Sequence, residues 1–232
     1  FYIPQYLLKT AKELIILKYN LKQKAYKSIK DKIMYFELKP GQKIIESKLA
    51  VTLNISRTPL REALAMLENE GLIIKDTGQG YTVSMLNEKE LCDYFRIRSS
   101  LEIMCAELFM NRKTTSDVSN LRKHVDKAVK IYSGDNVYEA IESDTKFHDL
   151  FYRGAKSQIL YQTLNSISTH TIIMRAAAMQ TKDGREASLK DHIIIVEAIE
   201  KDDMEALKEI IYHHLHFAPE HYASLRAFIF DN

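Results

Sequence analysis

The chain has 232 residues, of which 46% are hydrophobic and 28% are charged, as expected for a globular protein of one or two domains. No apolar run is long enough to cross a bilayer, so we expect no membrane partner, and the two cysteines, Cys92 and Cys105, indicate a reducing, cytoplasmic compartment rather than a disulfide framework. The net charge of +2 hides an asymmetry, because residues 1–86 carry +6 and residues 87–232 carry −4. A basic front half favours a polyanionic partner for that half.

The first elements in chain order are predicted to be helices. Residues 1–21 form an amphipathic helical extension, in which lysines interrupt an apolar stretch. Residues 22–36 carry apolar side chains at helical spacing, and the Pro40-Gly41 turn is expected to end that helix. The stretch "ESKLAVTL" predicts a second, short helix before the turn "NIS".

A third helix and a hairpin complete the front half. Ser56 is expected to cap a helix that runs from about Arg57 to Asn69 and stops at Gly71. The stretches "GLIIKD", "TGQG" and "YTVSML" then read as strand, turn and strand. This order predicts a winged helix-turn-helix domain over residues 22–86.

The start of the third helix is suited to nucleic acid. Arg57, Thr58 and Arg61 lie one turn apart at its N-terminal end, and the opposite face is apolar. A DNA-reading helix inserts this end into the major groove, where the helix dipole also favours phosphate. The alternative is a plain three-helix domain with a solvated charged end.

These residues also carry a family resemblance. The "L-x-PG" turn, the "E-x-x-LA" second helix, the "SRTP-x-REAL" third helix and the "L-x-x-EGLI" exit resemble the signature of the GntR family of bacterial transcription regulators over about 65 residues. The resemblance implies that Arg57, Thr58 and Arg61 contact operator DNA. It also implies that Gly80 in the wing approaches the minor groove, with Ser47 and Lys48 as weaker phosphate candidates.

Residues 87–232 predict an all-α bundle of six or seven helices. Periodic segments cover about 88–111, 116–133, 137–153, 157–180, 186–200 and 203–217, with a tail helix after Pro219. The whole chain is therefore predicted to be mainly α, with the winged domain followed by a helical bundle.

Polar residues interrupt the inward stripes of three of these helices. Asp144 and His148 lie four residues apart on one stripe, and His192 and His214 lie on two others. His192 and His214 are equidistant from a turn near residue 203, so an antiparallel hairpin should place them face to face. Buried polar groups need a partner, and a divalent metal or a hydrogen-bonded core cluster would each provide one.

A second resemblance bears on that choice. "R-x-x-LE", "D-T-K-F-H" and "DH…HHL" look like the FadR-like, FCD-type effector domain of the same family. It implies a metal held by Asp144, His148, His192 and His214, with zinc as the first choice and nickel or manganese as alternatives. The family commonly has "GN" where this chain has Lys156–Gln158, which puts that helix connection in doubt.

Family members sense small organic or sugar acids, which a metal binds directly through a carboxylate. Arg98 and Arg175 lie in largely apolar helices, where an arginine needs an anionic partner. They are candidates for a clamp on the effector acid. Salt bridges with Glu102 or another internal carboxylate are the alternative explanation.

The leading hypothesis is a homodimeric, effector-controlled transcription regulator, most often a repressor in this family, that binds a double-stranded DNA operator at the bacterial nucleoid. The first alternative is a metal-dependent enzyme acting on a small carboxylic acid. The second is an architectural DNA-binding protein without an effector.

Overall fold

The structure, a computed structural model, describes residues 5–77, 80–216 and 227, with side chains described from residue 20 onward. The chain divides into two compact units, Phe1–Met85 and Leu86–Asn232. No helix within the described ranges is long and apolar enough to cross a membrane. The predicted architecture, a winged helix-turn-helix followed by a helical bundle, is confirmed.

The first unit contains three helices and a small sheet. The helices are α1 (Gln5–Met34), α2 (Glu46–Leu53) and α3 (Arg57–Asn69), and the strands are β1 (Lys43–Ile44), β2 (Ile73–Lys75) and β3 (Tyr81–Val83). The strands are antiparallel in the order β1-β3-β2. The core lies between α1 and α3, where Ile29, Ile33, Leu60, Leu64 and Leu67 are fully buried.

Four features of the first unit differ from the sequence prediction. The extension and the first helix are one continuous helix, since no glycine or proline lies between Gln5 and Met34. That helix ends at Met34, ahead of the Pro-Gly turn. Strand β1 was not predicted, because two residues show no periodicity. Ser56 occupies the N-cap position of α3, but its side chain makes no capping hydrogen bond.

The second unit is a bundle that has six helices over residues 86–216. They are α4 (Glu88–Arg112), α5 (Thr115–Tyr132), α6 (Val137–Gly154), α7 (Gln158–Gln180), α8 (Lys182–Glu200) and α9 (Met204–His214). The predicted tail helix after Pro219 lies outside the described residues. Each of the six helices begins with a side chain that accepts a hydrogen bond from its first turn: Asn87, Thr114, Asn136, Ser157, Thr181 and Asp203.

The six helices of the bundle pack against one another around a common apolar core. α4 packs against α7 and α9, α5 against α6 and α8, and α8 against α9. The apolar core of the bundle includes Phe109, Phe147, Phe151 and Ile199. Polar side chains on the same inward faces of α6, α8 and α9 form the candidate site described below.

The connection between α6 and α7 is intact despite its departure from the family pattern. Lys156 adopts the left-handed conformation, with φ at 49°, that a glycine takes readily. The strain is offset by hydrogen bonds, because the Lys156 ammonium donates to the Arg112 carbonyl, and Arg112 donates to the Ala155 and Lys156 carbonyls. Asp117 pairs with the same ammonium at 3.0 Å.

Candidate functional site

The first candidate surface is the exposed N-terminal end of α3. Arg57, Thr58 and Arg61 are exposed there, while Leu60 and Leu64 on the opposite side are fully buried. The amphipathic spacing of the helix therefore separates an apolar face, which holds α3 on α1, from a basic end. The hydroxyl and guanidinium groups of this end are available to phosphates and base edges.

Two neighbouring elements border this surface. Ser47 and Lys48 are exposed in the first turn of α2. Gly80 precedes strand β3 with φ at +104°, and a Cβ there would lie 3.1 Å from the Ile44 carbonyl oxygen. Only glycine fits this turn without strain, so the residue shapes the wing whether or not it approaches DNA.

The second candidate site lies inside the bundle, where three histidines converge from three helices. His148 of α6, His192 of α8 and His214 of α9 each offer a ring nitrogen, and these nitrogens lie within 4.8 Å of one another. The His192 and His214 ring centroids are 5.0 Å apart, and His148 lies 5.3 Å and 5.5 Å from them. Periodicity on three helices, each presenting one imidazole inward, produces this cluster.

Asp144 joins the cluster through one carboxylate oxygen. Its Oδ1 lies 4.0 Å from His148 Nε2 and 3.8 Å from His192 Nε2, and it accepts a hydrogen bond from Ser188 at 3.3 Å. Its Oδ2 accepts two bonds from Arg175, from Nε at 2.7 Å and from Nη2 at 2.5 Å. One oxygen of Asp144 therefore faces the histidines while the other is held by an arginine.

His192 has an unsatisfied donor or acceptor. Its Nε2 is buried and has no hydrogen-bond partner among the described residues. The ring itself stacks on Phe147 with centroids 3.6 Å apart, which fixes its plane. A buried polar atom left unpaired costs about 1–3 kcal/mol, so the arrangement calls for a further group at this nitrogen.

The electrostatics of the cluster favour the neutral forms of His148 and His192. Burial lowers the pKa of His148 and of His192 well below the ordinary value, and the Arg175 guanidinium lowers the pKa of both further. Neutral imidazole has a lone pair on one nitrogen, which is the state that binds a metal ion. The residues present thus fit a divalent metal with nitrogen and oxygen ligands.

Two carboxylates lie behind the histidines, and sequence reasoning did not assign them this position. Asp191 Oδ2 lies 3.1 Å from His214 Nδ1, and Glu102 Oε1 lies 3.7 Å from His148 Nδ1. Asp191 is within hydrogen-bond distance of a ring nitrogen of His214 and so orients that ring, whereas Glu102 at 3.7 Å makes no hydrogen bond with His148. The signal available in the sequence was the spacing of Asp191, directly before His192 on the same helix.

Both proposed effector arginines have internal partners. Arg98, fully buried, donates from Nε to Glu102 at 2.8 Å, and its Nη2 lies 3.3 Å from both nitrogens of His148. Tyr152 also donates to Glu102. The salt-bridge interpretation therefore describes both arginines in this structure. Each still borders the cluster, because Arg98 lies beside His148 and Arg175 is paired with Asp144.

Three further histidines in the described part of the chain do not belong to the cluster. His213 is exposed, with 75% of its side chain accessible, and its Nδ1 lies 3.7 Å from Asp191. His124 lies 2.9 Å from the Ser143 carbonyl oxygen, and His170 stacks on Tyr94.

Comparison with known proteins gives a consistent set of relatives. Residues 93–217 match the family described as FCD domain, and residues 21–83 match the bacterial regulatory proteins of the gntR family. The chain is 28% identical over 197 residues to the uncharacterized HTH-type transcriptional regulator YdhC of Bacillus subtilis, covering 84% of this chain and 88% of the relative. It is 24% identical over 204 residues to the HTH-type transcriptional repressor RspR of Escherichia coli, covering 88% and 90% of the two chains. Among solved structures, McbR/YncC of E. coli superposes with a TM-score of 0.74 at 21% identity, covering 90% of this chain and 98% of that one, which supports the fold.

Proposed function

The chain belongs to the gntR family of bacterial regulatory proteins that carry an FCD domain, and from this premise we propose that it is a DNA-binding transcription regulator whose bundle binds a divalent metal and a small organic or sugar acid. We propose further that it acts as a homodimer on a double-stranded operator. We also propose that it represses transcription, since the name of its relative RspR describes that protein as a transcriptional repressor. Acid binding in the bundle would change the affinity of the winged units for DNA.

The observation that carries the metal proposal is the unpaired, buried Nε2 of His192 inside a cluster of three histidines. Asp144, His148, His192 and His214 would hold the ion, with zinc first and nickel or manganese as alternatives. The bound metal would supply a Lewis-acidic site for a carboxylate or hydroxy-carboxylate. Asp191 orients the His214 ring for this task.

The choice of an acid follows from charge. In this site Arg98 is balanced by Glu102, and Arg175 by Asp144, so the buried pairs are neutral before a metal enters. A divalent ion adds two positive charges where water is largely excluded. An anionic ligand offsets this charge. We propose that Arg175, which has 11% of its side chain exposed, contacts the acid together with Arg98.

The DNA part of the proposal is tested with the duplex that the wild-type chain selects from a random library. Arg57→Ala is expected to lower affinity for this duplex about tenfold or more, because it removes a cation from the exposed end of α3. Lys201→Ala, which removes an exposed cation from the bundle, is the control and should bind as wild type. Equal affinity of Arg57→Ala and wild type in fluorescence anisotropy would contradict the assignment.

The effector part is tested by titrating hydroxy acids and sugar acids against the same protein–duplex complex. Release of the duplex by an acid in the presence of zinc, but not after chelation with EDTA, is expected. Release that is insensitive to EDTA would remove the metal from the mechanism. Chemical turnover of the acid would instead favour the enzyme alternative.

A further inference from the structure

An ion pair connects α2 with the recognition surface of α3. Arg61 Nε donates to Glu46 Oε2 at 2.9 Å across fifteen residues of sequence. Glu46 is the first residue of α2 and is partly shielded, with 23% of its side chain exposed, whereas 65% of the Arg61 side chain is exposed. The carboxylate is thus the more shielded partner, and the guanidinium is the more exposed one.

The contact uses only one edge of the guanidinium. With Nε engaged, Nη1 and Nη2 have no hydrogen-bond partner in the part of the chain that the structure describes. These two nitrogens form the terminal fork of the side chain. A fork of this kind matches O6 and N7 of guanine in the major groove, the commonest specific contact between arginine and a base.

Arg57 provides a contrast on the same helix end. It is exposed, and within the described ranges its guanidinium has no hydrogen bond or ion pair. An exposed cation without an internal partner suits phosphate contacts, which supply affinity without reading sequence. Of the two arginines, only Arg61 is held in a defined orientation.

The energetics indicate a role in orientation rather than stability. An ion pair this exposed contributes little to folding. A carboxylate near the DNA surface also repels phosphates and lowers affinity for any duplex. Its benefit lies in restricting the rotamers of a long side chain before binding, which reduces the entropy lost on contact with a base.

We propose that Glu46 is a specificity-determining positioning residue that holds Arg61 so that its terminal nitrogens read a guanine, at the expense of general affinity for DNA. The proposal rests on the DNA-binding function proposed above. It assigns Glu46 no direct contact with DNA, and it predicts one guanine in each half-site whose recognition depends on Glu46.

The test compares Glu46→Ala, Glu46→Gln and a matched control, Glu37→Ala. Glu37 follows α1 and pairs with Lys32 in that helix. Its replacement by alanine removes an equal charge from the same unit without affecting Arg61. Each protein selects duplexes from a random library, and anisotropy then measures binding to the wild-type consensus duplex and to an unrelated duplex.

Glu46→Ala is expected to lose preference at one G·C pair per half-site and to lower the ratio of specific to unrelated binding about tenfold. The amide oxygen of Glu46→Gln still accepts a bond from Nε, so this variant should restore most of that ratio although the charge is absent. In an Arg61→Ala background, Glu46→Ala should cause no further loss, since the effect acts through Arg61. Glu37→Ala should keep the wild-type base profile.

An unchanged base profile in Glu46→Ala would overturn the proposal. So would a uniform loss of binding to both duplexes together with a lowered Tm, which would identify a structural role. If the wild-type chain selects no consensus at all, the DNA-binding function itself fails, and that outcome is distinct from both.

Discussion

The metal proposal makes a sharp prediction about two adjacent histidines. His214 belongs to the cluster, with 12% of its side chain exposed and a ring centroid 5.0 Å from that of His192, whereas His213 lies outside it and is 75% exposed. His214→Ala and His213→Ala therefore remove the same side chain at neighbouring positions of α9. Only His214→Ala should strongly reduce the response of the protein to zinc.

The magnitude follows from linkage. A ligand present at 100 times its dissociation constant stabilises the folded state by about 2.7 kcal/mol. For a unit the size of residues 86–232, about 1 kcal/mol corresponds to a Tm change of about 2–4 °C, so zinc should raise Tm by about 5–10 °C. His214→Ala leaves Asp144, His148 and His192, and the loss of one of four ligands should reduce the shift to about 1–2 °C or less.

The assay is thermal unfolding followed by circular dichroism, with and without zinc and after EDTA. The Tm with zinc is compared with the Tm without zinc in the same variant. The stability lost with the buried imidazole then cancels, because that loss affects the zinc-free and the zinc-bound protein alike. His213→Ala should show the full wild-type shift. Equal zinc shifts in the two variants would show that the histidine cluster is not the metal site.

Two further predictions concern packing in the bundle. Arg98→Met leaves the Glu102 carboxylate buried without its cation and should lower the free energy of unfolding by about 3–5 kcal/mol, measured by urea denaturation; a loss below about 1 kcal/mol would contradict the pairing. Gly154→Ala would place a Cβ 1.9 Å from the Phe109 ring and should cost about 1–3 kcal/mol, whereas Gly134→Ala, with two carbonyl oxygens at 3.4 and 3.9 Å, should change stability by less than about 1 kcal/mol. Similar urea midpoints for the two alanine variants would mean that α6 shifts away from α4 at little cost.

The sequence predicted the elements of the bundle because its helices are long, periodic and well capped. Equal distances of His192 and His214 from a short turn were sufficient to place them face to face, and their ring separation of 5.0 Å agrees with that argument. The same reasoning placed Asp144 and His148 on one inward face, since residues four apart on a helix share a face. Metal binding by these residues remains a prediction.

Side-chain pairing across helices could not be predicted in the same way. Arg175 and Asp144 are 31 residues apart on different helices, and which carboxylate an inward arginine meets depends on helix packing and rotamers. Glu46 and Arg61 lie on two helices joined by a turn, and their pairing depends on the crossing of α2 and α3. Strand β1 is two residues long and forms only because β3 provides its hydrogen-bond partners. Each of these features is tertiary in origin.

Charge balance links the two ligands proposed for the bundle. Two arginines already have carboxylate partners there, so a divalent ion held by three imidazoles and Asp144 leaves an excess of positive charge in a buried space. An acid that binds this ion reduces the excess, and the ion in turn gives the acid its strongest contact. Linkage requires that each ligand raise the affinity of the other by the same factor. An acid that releases DNA should therefore also tighten zinc binding by the protein. An acid that only chelates zinc in solution, without occupying the site, should lower the apparent affinity of the protein for zinc.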